Sequence, residues 1–407
     1  MLRLFLHTVA GLILAVGAIA AGPASVRADA AFDLWLQALR AEARSAGIAE
    51  RTLDTALGGL SPSARVIELD NAQPEFLSTF WQYYDNAVSP SRVARGQAML
   101  VEHADLLAQV EAVYGVQPRF IVALWGLETN FGSFMGRFPV IEATATLAFD
   151  GRREALFRAQ LLDALHLIDQ GDLRAEQMIG SWAGGMGHVQ FIPSTYRAYA
   201  VDFDRDGRRD LYGSLADAFG SAANFLTQLG WKGDETWGRQ VRIPPWFDWQ
   251  LANSGTRLPL AQWADMGVTR WNGQLLPLVV DMQGQIIAPM GHRGPVFIGY
   301  DNYDAILGWN RSAFYAVAVG SLADQLVGAP PRTGPRPEIG PRLIGRQVAE
   351  LQGLLNQLGY AAGAADGRTG SRTRAAIRAY QAAIGEPPDG YATEALLTHI
   401  RRQASGR

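Results

Sequence analysis

One acidic residue interrupts an otherwise apolar stretch, Phe120–Gly132 (FIVALWGLETNFG). Glu128 follows Leu124 by four residues and precedes Phe131 by three, so on a helix it borders the apolar stripe. A carboxyl group there loses hydration, which raises its pKa, and a general acid working near neutral pH needs that property. Because a Glu beside an apolar stripe is more often ion-paired or at a helix end, the segment indicates an acid without establishing one.

A glycine-rich segment, Gly180–Tyr196 (GSWAGGMGHVQFIPSTY), is the second candidate for chemistry. Glycine lets the backbone approach a ligand closely or adopt positive φ. The side chains of this segment that could bond to or stack on a sugar are Ser181, Gln190, Trp182 and Phe191. A loop needed only for helix packing explains the glycines equally well, so this segment alone does not decide between the two.

Aspartates alternate in the following segment. They occupy the first, third, fifth and ninth positions of an EF-hand-like loop, with a glycine at the sixth: Asp202, Asp204, Asp206, Asp210 and Gly207. The twelfth position is Gly213 rather than Glu, although Asp217 could substitute, and interleaved arginines weaken metal affinity. Two interpretations stay open: a structural Ca²⁺ site, or aspartates that pair with the arginines and cap the next helix. The six histidines have no zinc-ligand spacing.

The elements that must position these groups are mostly helical. Apolar residues recur at helical spacing from Phe32 to about Leu229, and Pro118 marks a helix start. Between Trp231 and Tyr300, prolines punctuate short apolar runs, which predicts a β-containing subdomain. Helical spacing returns over 310–327.

A proline- and glycine-rich segment then marks the clearest domain boundary. Residues 329–341 have almost nothing to bury, which predicts a semi-rigid linker with few contacts across it. Residues 342–403 show three short apolar stripes separated by Asp366-Gly367 and Asp389-Gly390, so we expect three helices joined by turns.

Several motifs together resemble the lytic murein transglycosylase B family. They occur in the family's order over roughly Phe32 to Gly328: WGLETNFG at 125–132, the glycine-rich segment, YAVDFDRDGRRDL at 199–211, LTQLGW at 226–231 and NYDAILGWNRSAFY at 302–315. The C-terminal residues, with LQGLLNQLGY and ADGRTGSRTRAAIRAYQ, resemble a three-helix peptidoglycan-binding domain. The resemblance implies a mainly α, lysozyme-like catalytic domain (29–328) with a small β-containing subdomain.

The resemblance also implies roles for individual residues. Glu128 is the expected catalytic acid/base, and the residues expected to contact the substrate are Ser181, Met186, Gln190, Asn310 and Tyr315. Phe225 and Trp309 stand where some members have a tyrosine; because both lack a hydroxyl, we assign neither a hydrogen-bonding role. Some family members hold Ca²⁺ at the aspartate loop, and no other cofactor is expected.

The implied reaction cleaves the β-1,4 bond between N-acetylmuramic acid (MurNAc) and N-acetylglucosamine (GlcNAc) in peptidoglycan and forms 1,6-anhydro-MurNAc. Ordinary glycosidases use two carboxyl groups, and no partner of Glu128 is evident in its segment; Glu142 and Asp150 fall in the next one. Two alternatives remain: a lysozyme-type hydrolase and a non-catalytic peptidoglycan-binding scaffold.

Composition and the first residues set the cellular context. Residues 1–28 read as a signal peptide, with Arg3 before an apolar core and small residues before a cleavage site after Ala28. The chain has no Cys, which excludes disulfides, thiol nucleophiles and lipidation at Cys. The formal net charge of −3 and the lack of basic runs argue against nucleic acid. We therefore expect a soluble periplasmic monomer, without a membrane anchor or lipid, that acts on glycan strands.

Overall fold

A computed structural model describes residues 23–72, 78–338, 343 and 345–406. Most of the expected signal peptide (residues 1–22) therefore lies outside the described residues. Within the described ranges, no helix combines the length and apolarity needed to cross a membrane.

Helices make up most of the first domain, as their apolar spacing predicts. The first group comprises α1 (Pro23–Ser45), α2 (Glu50–Leu57), α3 (Ala64–Ala72), α4 (Phe80–Ala87), α5 (Pro90–Glu102), α6 (Ala104–Tyr114) and α7 (Pro118–Thr129). A strand pair, β1 (Phe138–Pro139) with β2 (Ile179–Gly180), brackets α8 (Val140–Phe149) and α9 (Glu154–Asp169). Then come α10 (Pro193–Tyr199) and α11 (Leu215–Gln228). Apolar faces of these helices share one large core that includes Phe120, Leu124 and Phe219.

A five-stranded antiparallel sheet forms the predicted β-containing subdomain. Its elements are β3 (Gly238–Arg242), β4 (Leu258–Pro259), α12 (Leu260–Asp265), β5 (Thr269–Arg270), β6 (Gln283–Ile287) and β7 (Val296–Gly299), in the spatial order β4-β6-β7-β3-β5. It has a core of its own around Trp263 and Tyr300. The chain then returns to the helical core through α13 (Asp301–Trp309) and α14 (Ala313–Leu326).

The C-terminal module has the three predicted helices, α15 (Gly345–Gln357), α16 (Ser371–Ala383) and α17 (Glu394–Ala404), around a small separate core. It also contacts the sheet subdomain. The Asp389 carboxylate accepts a hydrogen bond from the backbone N of His292 (2.8 Å) and lies 2.6 Å from its Nδ1. Arg378 donates to the carbonyl of Ala252 (2.7 Å). A mainly α architecture with a small sheet subdomain and a helical C-terminal module is thus confirmed.

The linker is not free of contacts with the catalytic domain: residues 332–336, which we call the bridging segment, bond to it. The carbonyl of Pro335 accepts a hydrogen bond from Trp81 (2.8 Å), and Arg336 pairs with Asp85 at 2.7 and 3.0 Å. Arg332 forms an ion pair with Asp324. These contacts use backbone carbonyls and arginines, so a search for apolar side chains to bury does not reveal them.

Candidate active site

Helix α7 carries Glu128 in its last turn. The helix starts with Pro118 at its first position, where the missing N–H costs nothing. The residues from Phe120 to Gly126 are all buried, so the helix runs through the domain core. It ends at Asn130 in the left-handed conformation (φ 49°). The buried residues fix the direction of the helix axis. Because the helix ends one residue after Glu128, this side chain lies at the edge of the core.

Two hydrogen-bond donors that lie far from Glu128 in the sequence bond to its carboxylate. Trp309, the last residue of α13, donates from its indole nitrogen to Oε1 at 2.9 Å. The hydroxyl of Tyr315, in the first turn of α14, donates to the same oxygen. The expectation that Trp309 has no hydrogen-bonding role is therefore wrong, because the indole N–H takes the place that a hydroxyl could occupy.

The environment of Glu128 raises its pKa. Burial is the largest cause, and it outweighs the hydrogen bonds from Tyr315 and Trp309, which favour the charged form; the pKa rises from 4.5 to about 7. Within the described ranges, no Asp or Glu contributes to this shift. The side chain is nonetheless only partly buried. The carboxyl group can therefore reach a ligand while holding or releasing a proton near neutral pH.

Tyr83 completes the surroundings of Glu128 and was not identified from the sequence. Burial raises the pKa of its hydroxyl, and the nearby Glu128 charge raises it further. Its ring lies 6.0 Å from that of Phe314, next to Tyr315. Nothing in the local sequence distinguishes Tyr83 from its neighbour Tyr84, so only the packing of α4 against α14 reveals it.

The turn after Glu128 is strained and is held by His188 of the glycine-rich segment. Asn130, Phe131 and Gly132 have φ of 49°, 59° and 74° in succession. Thr129 accepts from the backbone N of Gly132 (3.0 Å) and donates to the His188 carbonyl (2.9 Å). Trp125 of α7 donates to the His188 Nδ1 (3.0 Å). Residue 132 must be glycine here, because a Cβ would lie 2.5 Å from the His188 ring.

Three of the expected groove residues have structural roles inside the loop: two side chains form internal hydrogen bonds and one is buried. Ser181 accepts from the backbone N of Gly185 at 2.8 Å, which closes the turn. Gln190, with φ 50°, donates to the carbonyls of Met135 and Gly187, both at 3.0 Å. Met186 is fully buried. These side chains shape the loop, and their contact with a substrate stays a prediction.

The last two expected contacts differ in their relation to Glu128. Tyr315 bonds to it, as described, whereas Asn310 is exposed at the end of α13, immediately after Trp309. Phe225 contributes no donor but packs within an aromatic cluster, with its ring 5.4 Å from those of Phe191 and Trp309. This cluster fixes the indole that bonds to Glu128.

The aspartate loop brings together a set of carboxylates that differs from the predicted one. Oxygens of Asp202, Asp204 and Asp217 lie within 4.8 Å of one another, and Asp217 is fully buried. Asp206 and Asp210 instead accept backbone N–H groups within the loop, such as those of Arg208 and Gly213. Burial raises the pKa of Asp217, although three backbone N–H groups oppose the shift. Three converging carboxylates with one buried member fit a hard cation bound through oxygen.

In the C-terminal module, the aspartate-glycine pairs build turns. Asp366 accepts from the backbone N of Arg368 (2.9 Å), and Gln352 accepts from that of Gly367 (3.0 Å). At the second aspartate-glycine pair, Gln381 likewise accepts from the backbone N of Gly390 (2.9 Å). These contacts explain the aspartate-glycine pairs by structure, without assigning a ligand to them.

Two family models match the chain. The transglycosylase SLT domain matches residues 31–324, and a peptidoglycan binding domain matches residues 345–400. A curated relative, the membrane-bound lytic murein transglycosylase B of Escherichia coli (strain K12), is 33% identical over 252 residues. That match covers 59% of this chain and 65% of the relative, so the chain spans less than two thirds of the relative's length.

Solved structures of similar proteins match most of the chain. SltB3 from Pseudomonas aeruginosa in complex with NAG-anhNAM-pentapeptide is 46% identical, with a TM-score of 0.86, and the match covers 91% of this chain and 99% of that one. The Escherichia coli lytic transglycosylase Slt35 in complex with calcium is 28% identical, with a TM-score of 0.62, over 73% of this chain and 92% of that one.

Proposed function

The chain belongs to the transglycosylase SLT domain family, and on that premise we propose that it is a lytic transglycosylase of peptidoglycan with Glu128 as its single acid/base. The lysozyme-like fold expected from the sequence agrees with this membership, as does the peptidoglycan-binding domain that follows. The same carboxyl group handles both proton transfers of the reaction.

The reaction proceeds in two steps that conserve every atom. Protonated Glu128 donates its proton to the oxygen between MurNAc and GlcNAc, and the bond from that oxygen to the MurNAc anomeric carbon breaks. The acetamido oxygen of MurNAc stabilises the cation. Ionised Glu128 then accepts the proton of the MurNAc C6 hydroxyl, whose oxygen bonds to the anomeric carbon and closes the 1,6-anhydro ring. No water enters the product.

The protonation behaviour of Glu128 carries this proposal. A pKa of about 7 leaves both protonation states populated near neutral pH, so one group can serve as acid and then as base. The donors Trp309 and Tyr315 hold one carboxylate oxygen and orient the group. A second carboxyl group that activates water or captures the sugar would instead make the enzyme a hydrolase.

A structural Ca²⁺ at the aspartate loop is part of the proposal. Asp202, Asp204 and Asp217 would provide carboxylate oxygens, and the ion would neutralise their mutual repulsion. The site joins the loop to the first turn of α11. Its role is to hold that junction, and no step of the reaction passes through it.

The substrate sets the place where the protein acts. Peptidoglycan lies outside the cytoplasmic membrane, so the proposed activity requires export, which the expected signal peptide provides. We place the protein in the periplasm, with its C-terminal module bound to glycan strands.

Digestion of uncrosslinked glycan in heavy-oxygen water tests the reaction. The expected products carry a 1,6-anhydro ring, are lighter than hydrolysis products by one water, and contain no heavy oxygen at the MurNAc anomeric carbon. Glu128→Gln, which keeps the shape but transfers no proton, should lose about 10²- to 10⁴-fold in turnover and retain binding. Heavy oxygen at the anomeric carbon would make the enzyme a lysozyme-type hydrolase. Near-normal turnover by Glu128→Gln would remove this residue from the mechanism.

A further inference from the structure

Helix α4 lies between the bridging segment and the candidate active site. Trp81 and Asp85 are four residues apart and share one face of the helix. Tyr83 is about 200° away from Trp81 around the helix axis, on the opposite side. The Tyr83 ring lies 6.0 Å from that of Phe314, which is the neighbour in α14 of Tyr315, the residue that bonds to Glu128, so this face of α4 packs beside the site.

The bridging segment makes its contacts on the Trp81 face. The Arg336 guanidinium lies 4.1 Å from the centre of the Trp81 ring and pairs with Asp85 through both of its terminal nitrogens. Trp81 donates to the carbonyl of Pro335 at 2.8 Å. A single exposed ion pair contributes little to stability. Here the cation–ring contact, the bidentate ion pair and the hydrogen bond lie on one helix face and together hold the segment to α4.

The other end of the segment is fixed to different elements. Arg332 pairs with Asp324 of α14, and Gln240 of β3 donates to the carbonyl of Thr333. Asp324 also binds Arg119, at the start of α7, at 3.0 Å. The bridging segment therefore connects α4 to the helix that carries Tyr315 and, through Asp324, to the helix that carries Glu128.

Helix α4 needs such support. It has eight residues, which is below the length at which an isolated helix is stable in water. Its residues Phe80 and Tyr84 pack on the core, and the bridging segment contacts the helix at Trp81 and Asp85. Movement of α4 would displace Tyr83 and give more water access to the partly buried Glu128 carboxyl group.

We propose that residues 332–336 are a positioning element of the catalytic domain, which holds α4, and with it Tyr83, against α14 next to the Glu128 site. This inference rests on the proposed role of Glu128. It adds that residues in the linker, outside the catalytic helices, help to position the site around that acid. The segment acts only through α4 and does not touch the substrate.

Point variants in the full chain test the proposal. Arg336→Ala combined with Trp81→Phe removes the ion pair, the cation–ring contact and the indole donor but keeps an aromatic side chain at position 81. Arg336→Ala alone is a milder variant, in case the double variant does not fold. Arg346→Ala, an exposed arginine in α15, is the charge-matched control.

Three measurements are needed: hydrogen exchange of the Phe80–Ala87 amides, kcat and KM on uncrosslinked glycan, and the pH profile of kcat/KM. We expect the amides to exchange about tenfold faster as α4 opens locally. We expect kcat to fall about three- to tenfold with KM nearly unchanged, since substrate contacts remain while Tyr83 moves away from the acid. Water reaching Glu128 lowers its pKa, so the alkaline limb of the profile should move to lower pH.

The outcomes separate positioning from simple stabilisation. Faster exchange with unchanged kcat and an unchanged alkaline limb would mean that the segment only stabilises α4, which overturns the proposal. Unchanged exchange would overturn it too, because the contacts would then not hold α4. Failure of the proposed function would be visible in the wild-type products and in Glu128→Gln, and the exchange measurement does not depend on either.

Discussion

At the scale of the residue, two opposing effects act on the Glu128 carboxyl group. Burial favours its neutral form, while the donors Trp309 and Tyr315 favour its charged form. Burial alone would raise the pKa further, and the donors alone would lower it. Their balance keeps the pKa near neutral pH, which suits a group that gives a proton and later accepts one, as the proposed anhydro-forming reaction requires.

This balance predicts a pH-dependent cost in stability. The pKa of Glu128 is raised from 4.5 to about 7 on folding, so ionisation of the folded state destabilises it as pH rises through this interval. Glu128→Gln should therefore match the wild type in unfolding free energy at pH 4 and exceed it at pH 8, by up to about 3 kcal/mol. Denaturant unfolding at the two pH values measures this. A wild-type protein as stable as the variant at pH 8 would contradict the raised pKa.

Trp309→Phe is predicted to shift the pH profile in the opposite direction to the bridging-segment variants. It removes a donor to the carboxylate, so the Glu128 pKa should rise, and the alkaline limb of kcat/KM should move up by about one pH unit. Trp246→Phe, at an exposed tryptophan of the sheet subdomain, is the matched control. An alkaline limb at the wild-type position would mean that the indole N–H does not stabilise the carboxylate.

The sequence predicts some of these residues and not others, for a physical reason. Glu128 is evident because its apolar neighbours are adjacent in the chain. Trp309 is 181 residues away, and which atom of its ring meets the acid depends on how α13 packs. The sequence analysis assigned Trp309 no hydrogen-bonding role because it lacks the tyrosine hydroxyl. That assignment was wrong because the indole N–H can donate as a hydroxyl does.

At the scale of the element, the aspartate loop shows the limit of spacing rules. The EF-hand-like pattern identifies Asp202 and Asp204, but the third converging carboxylate belongs to Asp217 in α11. The sequence offers Asp217 only as a substitute at the twelfth position, because the spacing along a loop does not show which carboxylates converge when the next helix packs against it.

Calcium should stabilise the protein through this junction. At a Ca²⁺ concentration of about 100 times Kd, we expect the wild-type Tm to rise by about 5 °C. Asp217→Asn should lose that increment, and Asp206→Asn should keep it because Asp206 is outside the three-carboxylate group. Differential scanning calorimetry with Ca²⁺ or with a chelator measures both increments. An equal increment in Asp217→Asn and wild type would place the ion elsewhere.

The bridging segment shows a different limit. Proline and glycine content correctly predicts a stretch without helix or strand. It does not predict a stretch without partners, because carbonyl oxygens and arginine side chains can bind a surface without burying apolar area. The three helices of the C-terminal module were predictable because their apolar stripes are local.

At the scale of the whole molecule, the C-terminal module is more than a tethered anchor. Its buried Asp389 bonds to His292 of the sheet subdomain, and the chain between the two parts is fixed along residues 332–336. A free tether would raise the local concentration of enzyme at the wall, whereas a docked module also fixes the direction from which a bound strand approaches.

Two truncated proteins separate these contributions. One ends after Gly328 and the other after Glu338; both lack the module, but only the second keeps the bridging segment. We expect both to lose pull-down by purified sacculi.

The longer protein should keep most of its kcat on uncrosslinked glycan, and the shorter one should have a lower kcat and a Tm lower by about 5 °C, because Trp81, Asp85 and Asp324 lose partners. Calorimetry and steady-state kinetics on the pair measure the difference. Equal Tm and kcat would show that the catalytic domain ends before the bridging segment, and unchanged pull-down would show that strands are gripped mainly by the catalytic domain.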